Sequence, residues 1–291
     1  MNKKIKQKSA LQQMWVLILR QLCILKSNFK KLLMIILLPV ATAIIVTLVS
    51  SEKMFESYED TKSTLFAMVC VAIWIGLFNS IQEICQERGI LKREYMANLK
   101  LSAYIVSKFI VQAVLCLLQT AIFLGICCVG IEFPDDGLIL GSTLSDTFIT
   151  IFLIMLASDA MGLLVSSLVK SGDIANIIAP IILILQLVMS GVLFKLEGFT
   201  ENISYLTVSK WGMEGLGSIA DLNSLELNTI LEADDEMTKQ TLMDVLNREA
   251  EDIFNSTSEH LIQVWLILTV FAVTLTLIST LVLRKISKDS R

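Results

Sequence analysis

Six apolar stretches, each long enough to cross a bilayer, constrain this chain more than any other feature. They are Leu32–Ser50, Thr64–Ile84, Tyr104–Gly130, Thr147–Val169, Ile174–Leu196 and Leu261–Leu283. About 20 apolar residues in a helix span the hydrocarbon core. Lipid offers no partner for an unpaired backbone group, so a spanning segment is a helix or a strand of a closed barrel. The runs do not alternate apolar with polar, and 291 residues include only three prolines and thirteen glycines, which favours helices. Composition agrees: 54% of residues are hydrophobic, 18% are charged against about 25% in soluble domains, and mean hydropathy is +0.69. The expected fold class is an all-α integral membrane protein with six transmembrane helices, forming a single domain over residues 1–291.

The formal net charge of −4 conceals an asymmetry. Segments 1–31, 85–108, 169–173 and 284–291, with Glu83 at the edge of the second stretch, hold 18 of the 24 Lys and Arg and five acidic residues. The alternate segments 51–63, 131–146 and 195–260 hold six Lys and Arg against 22 Asp and Glu. The positive-inside rule puts the first set in the cytoplasm. The chain is therefore expected as a multi-pass protein of the cell membrane with both termini cytoplasmic. Asp159 belongs to neither set, because it sits in the middle of the fourth stretch.

Several chemistries are excluded or disfavoured by what is missing. No Gly-x-x-x-x-Gly-Lys-Ser/Thr loop occurs, so the chain does not bind and hydrolyse ATP by itself. His-Glu-x-x-His, Cys-x-x-Cys and Gly-x-Ser-x-Gly are absent, and the one histidine, His260, leaves no basis for His-based metal or triad chemistry. The neighbouring Cys127 and Cys128 read as small apolar helix residues. No metal site is expected, and the chain is expected not to be an enzyme on its own.

Two charged regions flank the first spans. Leu11, Met14, Trp15, Ile18, Leu19, Leu22 and Leu25 share one helix face, with Arg20, Gln21 and Lys26 beside it. Such a helix lies along the inner membrane surface or packs on a partner. After the second stretch, Ile81, Ile84 and Cys85 lead into Glu87-Arg88-Gly89-Ile90-Leu91-Lys92-Arg93-Glu94-Tyr95, a charged amphipathic elbow before the return at Tyr104. A solvated loop is the ordinary reading of such a segment. Ile90 and Leu91 among the charges favour a docking surface for a cytoplasmic partner.

From this elbow onward the sequence resembles the type-2 ABC exporter permeases, especially their G-subfamily-like branch. The resemblance rests on Glu87-Arg88, Arg93-Glu94-Tyr95, Ser102-Ala103-Tyr104 and Ser107-Lys108. It continues through Gly162–Ala175, then Gln186 with Met189–Phe194, then Ser209–Leu216, and spans roughly residues 10–285. It implies a homodimer, or a heterodimer with a second permease, set in membrane lipid above a separate ABC ATPase subunit. ATP and Mg would lie on that subunit, with no cofactor in this chain and no nucleic acid as partner. That the chain ends eight residues after the last span carries the same expectation.

The resemblance also distributes roles. Residues 11–28 become a connecting helix, followed by helices 1–5 over 32–196 and helix 6 over 261–283. Glu87, Arg88, Ile90, Leu91, Arg93, Glu94 and Tyr95, with Lys170 and Asp173 in a second turn, become the ATPase-coupling residues. Met68, Ala72, Ile75 and Asn79 of the second span and Ile184, Leu187 and Val188 of the fifth become the substrate pathway, although an apolar stripe more often marks packing. Val192 and Leu193 match an apolar gate. Asp159 departs from the family pattern and has two readings: a cation or proton site, or a carboxyl hydrogen-bonded to Ser158 or a neighbouring Ser or Thr.

The segment 199–259 is expected outside the cell. Thr200–Ala220 resembles the family's re-entrant helices, and acidic Glu226–Phe254, with Leu242, Val245, Leu246, Ile253 and Phe254 spaced as on a helix, reads as a lid. The leading expectation is the membrane subunit of an ATP-driven exporter that moves an amphipathic or hydrophobic substrate (lipid, drug or peptide) by alternating access. A self-immunity permease for a peptide antibiotic, and a non-transporting scaffold or sensor, are the alternatives.

Overall fold

A computed structural model describes residues 9–50, 54–194, 196, 198–225 and 254–285 of the protein, and all regular structure among them is helical. Helix α1 (Ala10–Ser27) starts in a capping box, in which the Ser9 hydroxyl and the Gln12 side chain each satisfy the other residue's backbone N–H. Asn28 then ends α1 and starts α2 (Phe29–Val49), its side chain accepting from the Lys31 N–H, so the chain turns within one residue. The remaining elements are α3 (Tyr58–Ser80), α4 (Arg88–Met96), α5 (Leu101–Gly130), α6 (Thr143–Leu168), α7 (Gly172–Val188), α8 (Phe199–Ser204), α9 (Val208–Ile219) and α10 (Ser258–Leu283).

Five of these, α2, α3, α5, α6 and α10, are long and apolar enough to cross a membrane. The expected fifth span, Ile174–Leu196, is shorter than its apolar pattern. Helix α7 has 17 residues, about 25 Å against a hydrocarbon thickness of about 30 Å. It stops because Ser190 turns its hydroxyl back to the Leu187 carbonyl at 2.7 Å and Gly191 adopts φ of +79°, a conformation that a side chain disfavours. The second span also differs from its expected bounds of Thr64–Ile84. It begins at Tyr58 and ends at Ser80, since the N–H groups of Ile84 and Cys85 donate to the Ser166 hydroxyl at 2.9 and 3.1 Å rather than to the preceding helical turn.

Helix α6 is the centre of the bundle, packed by α3, α5, α9 and α10. Its contact with α3 is a close backbone approach. A Cβ added at Gly76 would lie 2.2 Å from the Met155 carbonyl oxygen, and one at Gly162 would lie 2.2 Å from Ser80 Oγ and 2.7 Å from the Leu77 carbonyl. Small residues at a membrane helix contact let backbones meet, and dispersion then substitutes for the hydrophobic effect that lipid does not supply. Ser80 Oγ adds a 2.6 Å bond to the carbonyl of Asp159. Trp265 of α10 donates to Thr150 of α6 at 2.8 Å. Helix α9 is almost wholly buried against α3, α6, α7 and α10, so the segment after α7 re-enters the bundle. Of the expected lid, only Phe254 is described, and it is buried; residues 226–253 lie outside the described residues.

A smaller apolar cluster closes the opposite end. Leu17, Ile84, Leu91, Leu101, Tyr104, Ile105, Leu163 and Leu283 bring α1, α4, α5, α6 and α10 together beneath the elbow.

Candidate functional site

The elbow sits where the ends of α1, α3, α5 and α6 converge, and ion pairs lock it there. Glu83 lies in the turn between α3 and α4 with its side chain 7% exposed, and Lys108 of α5 beside it is 1% exposed. Lys108 Nζ is 2.8 Å from Glu83 and 3.0 Å from Glu87. Lys31 of α2 pairs with the other Glu83 oxygen, and Gln21 of α1 donates to Glu83 at 2.8 Å. The Tyr104 hydroxyl donates to Glu87 at 2.9 Å, and Arg20 of α1 holds Glu94 of α4 at 2.6 Å. Three acids and three bases therefore balance (Glu83, Glu87 and Glu94 against Arg20, Lys31 and Lys108).

Buried charge is tolerated only when paired and hydrogen-bonded. Burial alone raises the Glu83 carboxyl, but the adjacent Lys108 and Lys31 ammonium groups outweigh it and hold the group below its ordinary range. Arg88 donates to the carbonyls of Ser167 and Val169 at 2.9 and 2.7 Å, capping the end of α6 with positive charge. The residues that the sequence groups at the elbow thus divide into two sets. Glu87, Arg88, Leu91 and Glu94 face inward and fix the elbow. Gln86, Gly89, Ile90, Arg93, Met96 and Ala97 form one exposed face, while Tyr95 is half-buried.

The second turn lies next to this face. Lys170 and Asp173 are exposed, and Arg88 reaches the carbonyl of Val169 immediately before them. Gln86, Gln82 and Asn176 form a side-chain relay from the elbow to the start of α7. The structure thus brings the two sequence-distant segments expected to couple to an ATPase to one end of the molecule.

Between α3 and α7 runs an apolar groove of about 250 Å³. Cys70, Ile73, Trp74 and Phe78 form one wall, and Pro180, Leu183, Ile184 and Leu187 the other. Its polar edge is Gln186 with Ser209, whose N–H donates to Gln186 Oε1 at 3.0 Å. The pathway residues expected on α3 are elsewhere. Met68, Ala72 and Ile75 are 0% exposed in the packed core, and Asn79 bonds Gln119 of α5 at 2.6 Å. On α7, Ile184 and Leu187 reach the groove, while Val188 is half-buried outside its lining. Val192 packs on the core and Leu193 is exposed after the Gly191 turn.

Asp159 is fully buried, and neither carboxyl oxygen has a hydrogen-bond partner among the described residues. The expected bond from Ser158 is absent, and the Ser158 hydroxyl is likewise unpartnered. Ser80, the nearest hydroxyl on α3, is committed to the Asp159 backbone instead. At the far end of the bundle, Glu214 of α9 lies 3.2 Å from both Lys210 and His260. Among the described residues no cluster of three or more His, Cys, Asp or Glu could hold a metal ion.

The Glu83–Lys108 pairing and the bonds made by Ser166 and Gln186 were not expected from the sequence, although both residues lie in blocks that carry the resemblance. The pair had a legible signal: two opposite charges, each at the inner border of an apolar stretch, need one another. The bonds of Ser166 and Gln186 had none, because their partners, the Ile84 and Cys85 N–H groups for one and the Ser209 N–H and Met161 sulfur for the other, are distant in sequence.

Comparison with known proteins places the chain in a family. The profile of the ABC-2 type transporter family matches residues 12–219. The ABC transporter ATP-binding/permease protein Rv1747 of Mycobacterium tuberculosis is 29% identical over 157 residues, which are 53% of this chain and 18% of that protein.

Proposed function

We propose, because this chain belongs to the ABC-2 type transporter family, that it is the membrane-spanning subunit of an ATP-driven exporter working with a separate ATPase subunit. The reading takes residues 1–291 as one transport domain of the cell membrane with cytoplasmic termini. It places ATP and Mg on the ATPase, and a second permease, identical or not, across the groove.

One observation carries the proposal: α4 offers Ile90, Arg93 and Met96 outward, beside Gln86 of the preceding turn, while its inward face is tied to four other helices. A rigid elbow of this kind transmits motion, whereas a solvated loop would absorb it. The α3–α7 groove, below the roughly 300–1,000 Å³ of a complete ligand site, suits one half of a cavity finished by a partner. Its apolar walls suit an amphipathic or hydrophobic cargo. Alternating access then requires that the cargo bind inward- and outward-open states with different affinity.

The test is which ABC ATPase co-purifies with the full chain from its native membrane, followed by ATP turnover of the complex in liposomes. Ile90→Asp with Arg93→Glu is expected to abolish capture of the ATPase while the permease elutes normally on size exclusion. Full capture and full turnover by that variant would refute the coupling role of this face.

A further inference from the structure

A second site lies on the other side of the elbow. An open cleft of about 570 Å³ is formed where the α4–α5 turn meets the end of α10, lined by Tyr95, Asn98, Lys100, Ser102, Thr280 and Arg284 with apolar Leu99 and Leu101. Both cations are exposed, and neither makes an ion pair among the described residues. Among the described residues no acidic side chain lines the cleft, although Glu87 and Glu94 are close in sequence. Those carboxylates are held by Lys108, Tyr104 and Arg20 instead. Among the described residues, the charged end therefore holds a balanced ion network on one side and a cleft with two cations and no carboxylate on the other.

The cleft's depth relative to the membrane identifies its ligand. It sits at the first turn of α5 and the last turn of α10, at one end of two helices that are each long and apolar enough to cross a membrane. The helix faces that supply Ser102 and Thr280 continue into the apolar region as exposed Val106 and Ile110 on α5 and exposed Val273 and Leu277 on α10. Helices α5 and α10 are in contact. A ligand with a phosphate at one end and acyl chains at the other matches this polarity along its whole length.

We propose that this cleft binds the phosphate headgroup of an anionic phospholipid, with the Lys100 ammonium and Arg284 guanidinium on the phosphate and the Ser102 and Tyr95 hydroxyls beside it. Arg presents a fork suited to phosphate, and Lys supplies a point charge. The bound lipid clamps the α4–α5 turn to α10, so the elbow's position depends on the lipid around it. This binding site is separate from both the groove and the outward face of α4.

The experiment is native mass spectrometry of the full chain in detergent, titrated with phosphatidylglycerol, phosphatidylcholine or inorganic phosphate. Phosphatidylglycerol is expected to be retained well above phosphatidylcholine. Lys100→Gln with Arg284→Gln is expected to weaken it about thirty-fold, from roughly fivefold per cation at a membrane surface. The charge-keeping swap Lys100→Arg with Arg284→Lys should retain binding, which guards against a folding defect. Lys26→Gln with Lys30→Gln, which removes two cations elsewhere at the same end, should leave it unchanged. Equal retention of phosphatidylcholine, wild-type affinity in the Gln pair, or loss in the Lys26/Lys30 control would overturn the site. Inorganic phosphate displacing the lipid at equal concentration would overturn its assignment to a lipid.

Discussion

The two faces of α3 follow opposite rules. Toward α6 the backbones touch, with Gly76 against the Met155 carbonyl and Gly162 against Ser80 and Leu77, and Met68, Ala72 and Ile75 fill the remaining space. Toward α7 the same helix leaves Trp74 and Phe78 exposed above an open groove. A seam with no spare volume moves as one body, and a groove lined by exposed side chains is free to change shape. Helix α3 and α6 thus form a rigid unit that the elbow can lever, and the α7 side is where a cavity can open and close.

Four substitutions test that contrast. The largest effect is expected at the seam. Gly76→Ala forces a Cβ onto a backbone carbonyl that cannot move aside, and should cost about 3 kcal/mol or more, read as loss of the monodisperse peak in detergent. A variant with unchanged yield and melting temperature would show that the seam gives. Next is Lys108→Met, which removes the buried ammonium shared by Glu83 and Glu87, leaves them with Lys31, Gln21 and Tyr104, and should cost about 3 kcal/mol. Adding Glu83→Gln should recover part of that loss. Trp74→Ala on the groove wall comes third. Half of the ring faces out of the bundle, so stability should change by about 1 kcal/mol or less, while cargo stimulation of ATP turnover falls several-fold. Unchanged stimulation would remove the groove from the pathway. Arg93→Ala is the smallest for stability, within about 0.5 kcal/mol, and its effect should be confined to coupling.

Acid probes the junction between the two faces. The folded-state Glu83 carboxyl titrates below its ordinary range, so its stabilising contribution is complete above the unfolded-state value and is lost as pH falls through the lowered one. Thermal unfolding in detergent, followed downward from about pH 7 to about pH 3, should show a steepening loss of stability at the acid end. In Glu83→Gln that component should vanish. An identical pH profile in the variant would show that the pair does not hold the elbow.

Much of this was legible in the chain. Helices α2, α5, α6 and α10 lie within a few residues of the expected spans, because backbone satisfaction in lipid leaves a long apolar run no other structure. The inward and outward faces of the elbow were not separable by charge, since Glu87, Arg88 and Glu94 look like surface residues until Lys108, Arg20 and the end of α6 arrive beside them. The face of α3 that lines the groove was equally hidden. Met68, Ala72 and Ile75 are no more apolar than Ile73, Trp74 and Phe78, and lipid is as apolar as a protein core, so no moment marks which side is which.

The sequence by itself determined that the chain is helical and crosses the membrane, where its charge divides, and that a charged elbow interrupts the second and third spans. These follow from transfer free energies and local hydrogen bonding, which depend on residues a few positions apart. Only the tertiary structure decided that α7 stops short, which helices α9 packs against, which elbow residues face outward, and that Lys100 and Arg284 share a cleft. Each of these depends on groups distant in the chain meeting in space, and apolar periodicity carries no record of such meetings.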